Sequence, residues 1–380
     1  MENFTAYNPT VLHFGKEILS GLPVVVQKYG KKVLFVYGKN SLKRTGLYDQ
    51  MIRHLEDAGA EIYEYSGIRS NPDIEDVDAA ARIGRQNKVD LILAVGGGSV
   101  IDSAKIISIT IPVNHSGWDF YTQKAHPEKA VPVISVLTLA ATGTEMNRFA
   151  VLSNHKEMNK NGYGHALLYP AHSFLDPQLT FTVPQDYTAY GIADLIAHCF
   201  EAYFGYGDAT LTDRFIFAIV REAMEYGPRL LKDLQDYDLR EKIMYAATMA
   251  LNGLTLNGKT SGDWGVHSIG HCLSLLYDIP HGASLTIVYP AWLKYFRKRE
   301  PERLAHLGYG LFGKEMKADE SIRCIEEFFH NIGCPVRLSD MNIEGKSRQK
   351  IYQAMLINRV NGTNFKLKES DYLHLIDLFL

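Results

Sequence analysis

At 380 residues the chain exceeds a single small module and, at roughly 150 residues per domain, is expected to form two domains. Its 46 % hydrophobic and 22 % charged residues match ordinary soluble globular chains, which excludes disorder as the dominant state. Forty Lys and Arg against forty-three Asp and Glu leave a net charge of −3 with no long block of one sign, so nucleic acid is not an expected partner. No run approaches the roughly 18 apolar residues of a membrane helix, and the opening Met1-Glu2-Asn3-Phe4 lacks a secretion signal's basic and apolar regions. No membrane partner and a cytoplasmic location are expected. Cys199, Cys272, Cys324 and Cys334 form no C-x-x-C pair and read as reduced thiols.

In chain order, Val33-Leu34-Phe35-Val36 is a buried strand that ends in the turn Gly38-Lys39-Asn40-Ser41. Residues 47–58 follow, with Leu47, Met51, Ile52 and Leu55 at helical spacing before Gly59, a natural C-terminal cap. The rhythm repeats: a strand over 61–65, a turn at Asn71-Pro72, a helix over 74–86 and a strand over 91–95. Three strands with intervening helices predict a largely parallel sheet.

Immediately after comes Gly96-Gly97-Gly98-Ser99-Val100-Ile101-Asp102-Ser103-Ala104-Lys105, a Gly-rich turn entering a helix. Missing side chains let a phosphate approach the backbone, and the helix start offers free N–H groups and a favourable dipole. A tight β-α turn uses Gly for closeness alone, but three in succession exceed what a turn demands. The run is neither G-x-G-x-x-G nor a Walker A loop, so it indicates a phosphate-bearing ligand and nothing narrower. A strand over 131–137 leads into the hydroxyl-rich Thr138-Leu139-Ala140-Ala141-Thr142-Gly143-Thr144-Glu145, able to donate hydrogen bonds to a cofactor. Strand-like pieces at 149–152 and 173–175 close the first half. Without a Pro-, Gly- or Ser-rich linker, the boundary falls at a short hinge near Thr182-Val183-Pro184, giving domains 1–183 and 184–380.

From Tyr187 onward no succession of Val/Ile-rich strands appears, and segments 211–231 and 239–251 suit helices, so the second domain should be mostly α. Asp194 and His198 stand four apart within a helix over 187–204 and share a face, which Glu201 joins. His267 and His271 repeat that spacing, and His281 falls in a turn before Gly282. Any one of these alone is more often a satisfied core residue. Together they suit a divalent cation, because buried carboxylates and imidazoles without partners cost free energy that a metal removes. Spacing does not decide which of the three later histidines bind. Cys199 and Cys272 directly follow histidines, about 100° further round the helix, and read as core; Trp264 and Phe149 are weak candidates for lining a pocket.

These residues, Gly96-Gly97-Gly98-Ser99 with Asp102 and Lys105, Thr138 with Thr142-Gly143-Thr144-Glu145, Asp194-x-x-x-His198, and His267-x-x-x-His271 followed by Tyr277-Asp278 and His281-Gly282, resemble the iron-containing (group III) alcohol dehydrogenases. The resemblance spans almost the whole chain in order and is nearest the NADPH-dependent butanol dehydrogenase or aldehyde reductase branch, where Asp263-Trp264 and Tyr277-Asp278 also recur. It implies a dehydroquinate synthase-like architecture: an N-terminal α/β dinucleotide-binding domain with a Rossmann-like parallel sheet, an all-α C-terminal domain, and an active site in the cleft between them. It also implies a homodimer, with strand edges within residues 4–14 pairing between subunits.

By the same resemblance Asp194, His198, His267 and His281 match the metal ligands, while His271 matches a nearby non-ligand that assists proton movement. Gly97, Gly98 and Ser99 match pyrophosphate binders and Asp102 a residue near the nicotinamide; Thr138, Leu139, Thr142, Asn147, Lys160 and Leu179 match further cofactor contacts. The cofactor choice has its own physical argument. NAD-preferring proteins place an acid at the strand end beside the adenine ribose, where this chain has Gly38 followed by Asn40, Ser41, Lys43 and Arg44. NADP(H) is therefore expected, although Lys39-Asn40 replaces a Gly run common in the branch. The expected activity is hydride transfer between NADP(H) and a small aldehyde or primary alcohol, with one Fe²⁺ or Zn²⁺ as Lewis acid. The alternatives are a polyol (glycerol-type) dehydrogenase or another enzyme on the scaffold, such as a dehydroquinate-synthase-like cyclase, and a nucleotide-binding protein without turnover.

Overall fold

Apolar runs suit strands covered on both faces, and three such runs, 33–37, 91–95 and 133–137, make the centre of the N-terminal unit, Asn8–Val183. In the computed structural model, which describes residues 1–343 and 347–380, this unit contains β1 (Val11–Phe14), α1 (Leu22–Gln27), β2 (Lys32–Gly38), α2 (Ser41–Arg44), α3 (Leu47–Asp57), β3 (Glu61–Ile68), α4 (Ile74–Asn87), β4 (Leu91–Gly96), α5 (Gly98–Thr110), α6 (Trp118–Tyr121), β5 (Val133–Leu137), β6 (Phe149–Asn154), β7 (Asn159–Gly164) and β8 (His172–Leu175). Six strands form one sheet in the order β1-β8-β5-β4-β2-β3, every neighbouring pair parallel. The strand order reverses between β2 and β4, whose ends lie in register through Tyr37 and Val95. In open α/β sheets that reversal is where ligands bind, outside the strands' carboxyl ends. Gly38 and the Gly96–Gly98 run stand at those two ends. Helix ends follow local chemistry: Asp73 accepts from the Glu75 N–H at the start of α4, and Gly59 adopts φ 70° just past α3.

The structure differs from the sequence reading at several points. Residues 149–152 do not extend the main sheet; β6 pairs antiparallel with β7 in a separate hairpin whose turn includes Met158 at φ 49°. Short polar Asn159–Gly164 carries little strand signature, so this partner was not legible. The strand expected from 131 begins at Val133, because Pro132 has no N–H and the Val131 N–H bonds instead to the Ser108 carbonyl. Within the expected edge over 4–14, only Val11–Phe14 is strand. Met1–Tyr7 joins the C-terminal unit rather than domain 1–183, with the Glu2 N–H bonded to the Gly258 carbonyl at 2.9 Å.

The C-terminal unit, Pro184–Leu380 with Met1–Tyr7, is helical among the described residues: α7 (Gln185–Tyr203), α8 (Thr210–Leu230), α9 (Tyr237–Ala250), α10 (Gly265–Tyr277), α11 (His281–Phe296), α12 (Pro301–Phe312), α13 (Ala318–Asn331), α14 (Arg348–Ile357) and α15 (Glu369–Phe379). Every residue of α7 from Gly191 to Tyr203 is buried, so the helix runs through the core and its polar side chains must find partners inside. Cys199 and Cys272 are fully buried core residues, as expected. His281 is not in a turn: Pro280 caps α11 and His281 is its first residue. No helix among the described residues is long and apolar enough to cross a membrane.

Candidate metal centre and dinucleotide loops

Helix α7 presents Asp194 and His198 from one face, α10 presents His267, and the first turn of α11 presents His281. Their atoms converge on Asp194 Oδ1, with His198 Nδ1 at 3.5 Å, His281 Nε2 at 3.7 Å and His267 Nε2 at 3.9 Å. Asp194, His267 and His281 each offer one ligand atom within 4.8 Å of the others. Ligand atoms about 2.1 Å from a tetrahedral cation lie roughly 3.4 Å apart; the three contacts to Asp194 Oδ1 approach that spacing, while His198 lies outside the three-residue cluster and reaches it through Asp194. Among the described residues His198 Nδ1 and His267 Nε2 are buried without a hydrogen-bond partner, a cost that a bound cation would remove. Burial holds His198 well below the usual imidazole value, helped by neighbouring His267, and pulls His267 down to about 3. Both rings are therefore neutral, the form that offers a lone pair to a metal. These donors fit a divalent first-row cation. His271, one turn after His267 and buried, lies outside the three-atom cluster; its ring centroid is 5.5 Å from that of His281 and 6.4 Å from that of His267.

A carboxylate supports this cluster from behind. Glu201, one turn beyond His198, lies with Oε1 2.9 Å from His267 Nδ1 and accepts the His267 backbone N–H at 3.1 Å; Oε2 accepts the Trp264 N–H at 2.6 Å. Burial pushes the Glu201 carboxyl upward, while the backbone N–H groups of His267, Trp264 and Val266 pull it back toward the carboxylate. Trp264 caps α10 in the left-handed region, φ 64°, and its ring meets those of His267 and His198 edge-on. Asp263 accepts the N–H groups of Asn364 and Phe365 at 2.8 and 2.7 Å, tying that segment to the start of α10. The Asp263-Trp264 pair is thus scaffolding for the centre. Gly282 was a further unread requirement: a Cβ there would lie 2.1 Å from the Tyr190 carbonyl oxygen, so α11 touches the α7 backbone.

In the N-terminal unit the glycines divide by cause. A Cβ at Gly96 would lie 2.5 Å from Val100 Cγ2 and one at Gly98 2.6 Å from Thr142 Oγ1, so the fold itself demands both. Closeness thus accounts for more of the triple than the sequence reading allowed. At Gly97 the nearest atom is Leu139 Cβ at 3.3 Å, and at Gly38 it is 3.6 Å away. Gly97 caps α5 and its carbonyl accepts the Val100 and Ile101 N–H groups at 3.0 and 3.3 Å, which leaves the Gly98 and Ser99 N–H groups without an intrahelical partner. Ser99 Oγ donates to the Ser70 carbonyl at 2.5 Å, and the Thr138 N–H bonds to the Gly96 carbonyl at 3.0 Å.

Other candidates spend polar atoms inside the fold. Asp102 accepts from Thr144 Oγ1 at 2.5 Å and the Val151 N–H at 2.8 Å. Lys105, fully buried, donates to Thr144 Oγ1, Asn147 Oδ1 and the Phe149 carbonyl at 2.6, 3.1 and 2.8 Å; burial lowers it to about 8 against the pull of Asp102 and Glu145. Asn147 also donates to the Gly143 carbonyl and accepts the Phe149 N–H. Lys160 donates to Asn71 Oδ1 at 2.7 Å, and Leu179 packs against the apolar core beneath the sheet. The Lys105 tie was missed, although its spacing of three from Asp102 on a helix was the available signal. Past the end of β2, Lys39, Asn40 and Ser41 are exposed. Glu64 of β3 is held by the phenols of Tyr37 and Tyr48 at 2.7 and 2.9 Å.

Comparison with known proteins agrees along the length of the chain. Residues 9–177 match the iron-containing alcohol dehydrogenase family and residues 188–376 the C-terminal region of the Fe-containing alcohol dehydrogenase family. The chain is 40 % identical to the probable NADH-dependent butanol dehydrogenase 1 of Bacillus subtilis over 99 % of both chains. It is 36 % identical to the NADPH-dependent aldehyde reductase YqhD of Escherichia coli over 91 % of both. The crystal structure of NADH-dependent butanol dehydrogenase A from Thermotoga maritima, 36 % identical, superposes with a TM-score of 0.96 over 100 % of this chain and 99 % of that one.

Proposed function

The chain belongs to the iron-containing alcohol dehydrogenase family, and on that premise we propose that it interconverts small aldehydes and primary alcohols with NADP(H) at a divalent metal centre. The observation that carries this reading is the convergence of three imidazoles on Asp194 Oδ1. Asp194, His198, His267 and His281 would hold the cation, with one carboxylate charge and three neutral rings, a set that suits Fe²⁺ and Zn²⁺ alike. When bound, the cation supplies Lewis acidity at the reacting oxygen and the nicotinamide supplies or accepts the hydride. His271, buried with its ring centroid 5.5 Å from that of His281, is read as the group that gives or takes the proton of the hydroxyl.

Gly97 leaves room for pyrophosphate against the free N–H groups of α5, and Gly98 and Ser99 continue that edge. Gly38 offers no carboxylate to repel a 2′-phosphate, while Asn40 and Ser41 can bond to one and Lys43 and Arg44 bring positive charge. Thr138, Leu139 and Thr142 line the next loop. Asp102 and Asn147 brace the stretch that follows through Thr144, Val151, Gly143 and Phe149, Lys160 bonds to Asn71 and Leu179 packs in the core; these four are read as further cofactor contacts. The relatives' names divide between NADH and NADPH, so the NADP(H) preference rests on the Gly38–Ser41 turn. The enzyme is read as a homodimer on small-molecule substrates.

The test is oxidation of NADPH and NADH by metal-loaded protein across short and medium aldehydes, with glycerol and NADP⁺ in parallel. NADPH oxidation with butanal, at least about tenfold above NADH in kcat/KM (about 1.4 kcal/mol), is the expected result. Preference for NADH would overturn the cofactor assignment; glycerol oxidation without aldehyde reduction would move the chain to polyol chemistry. Tight NADPH binding with no turnover on any substrate would leave only a nucleotide-binding protein.

A further inference from the structure

The metal-ligand set needs His267 in one tautomer, since only an unprotonated Nε2 can face the cation beside Asp194 and His281. Free imidazole has no strong reason to choose that form, and the ring is too buried for water to exchange the choice freely. The partner at the other nitrogen therefore decides. Glu201 Oε1 stands 2.9 Å from Nδ1 and already accepts the His267 backbone N–H, while Oε2 accepts the Trp264 N–H. Each oxygen accepts a backbone N–H, contacts that favour the ionised carboxylate, and the remaining acceptor position of Oε1 faces Nδ1. A hydrogen on His267 Nδ1 completes that pattern.

Resting on the metal centre proposed above, we propose that Glu201 is a positioning residue: it accepts the Nδ1 hydrogen of His267 and so locks the ring with its Nε2 lone pair toward the cation. The left-handed turn at Trp264 belongs to the same device, because it points successive N–H groups at the start of α10 toward one carboxylate from α7. Glu201 thereby caps α10 and orients its first histidine with the same two oxygens. A cap alone would support helix stability; a tautomer lock also sets metal affinity.

The experiment uses metal-free, nitrogen-15 histidine-labelled full-length protein, with the His267 signals assigned by their loss in His267→Asn. The long-range proton–nitrogen spectrum should show hydrogen on Nδ1 and a bare Nε2. Hydrogen on Nε2 in the native protein would overturn the proposal without any variant at position 201. Glu201→Gln should then mix the tautomers and weaken Zn²⁺ about 10–100-fold, read by competition with a chromogenic chelator, in protein whose circular dichroism is native. A folded Glu201→Gln protein with undiminished Zn²⁺ affinity overturns the inference. If that variant does not fold, the native spectrum alone decides. Native protein that takes up no Zn²⁺ or Fe²⁺ refutes the metal-centre reading instead, whatever the tautomer.

Discussion

A methyl group added at position 282 has no room. The Cβ of Gly282→Ala would lie 2.1 Å from the Tyr190 carbonyl oxygen, 2.7 Å from its carbon and 2.9 Å from Tyr190 Cα, where ordinary contact begins at 3.4 Å. All three atoms are backbone of α7, so no rotamer change relieves the clash, and α11 must withdraw by about 1 Å at its first turn. His281 immediately precedes that residue and Asp194 lies one turn beyond Tyr190 on α7, so their 3.7 Å separation should open by a similar amount. Metal sites tolerate about 0.2 Å in ligand distance; the expected consequence is loss of the His281 ligand and metal binding weakened at least about tenfold, comparable to losing a supporting contact. Overpacking should also cost about 1–3 kcal/mol of stability. Gly308→Ala in α12 separates the two effects: its Cβ would meet Ser321 Oγ at 2.1 Å and Met316 Sδ at 2.5 Å, side-chain atoms outside the ligand set. Chelator competition should find weaker Zn²⁺ binding in Gly282→Ala but not in Gly308→Ala, with thermal melts reporting stability for both. Native affinity in Gly282→Ala, or equal losses in the two variants, would refute this account of how α11 is seated.

Lys105→Met leaves Thr144 Oγ1, Asn147 Oδ1 and the Phe149 carbonyl without their buried donor; it should lower stability by about 3–5 kcal/mol in urea unfolding and weaken NADPH binding by fluorescence titration. Asp213→Ala strands Arg303, which it pairs at 2.6 and 2.9 Å, and buried Lys259 at 3.1 Å. The expected loss is again about 3–5 kcal/mol, with metal stoichiometry unchanged by elemental analysis. Burial raises the thiols of Cys199 and Cys334, the latter to about 12, and their thiolates should be scarce at pH 8. Half-buried Cys324 should therefore be labelled first by a disulfide reagent in the native protein; peptide mapping that found Cys199 labelled as fast would contradict its placement.

Much of the molecule was legible because two periodicities report local structure. Aliphatic runs marked β2, β4 and β5, helical spacing marked α3, α4 and α7, and four-residue intervals placed Asp194 with His198 and His267 with His271 on shared faces. The β6–β7 hairpin was not legible, since pairing of a polar strand is decided by the register of its partner. Lys105 and Glu201 were legible only in part: helical spacing put Glu201 on the Asp194 face and Lys105 one turn from Asp102, but not the distant segments, at 144–149 and 264–267, that each one meets.

By itself the amino-acid order determined the alternation of strand and helix, the helical second half, and which imidazoles and carboxylates share a turn, because these follow from steric preferences and hydrophobic spacing within a few residues. Only the tertiary structure decided that α7, α10 and α11 bring Asp194, His198, His267 and His281 together, that Glu201 stands behind His267, and that Gly96 and Gly98 answer to packing while Gly97 and Gly38 have more space beside them. Those outcomes depend on close approaches between segments far apart in the chain, where a tenth of an ångström in seating matters and local spacing carries no information.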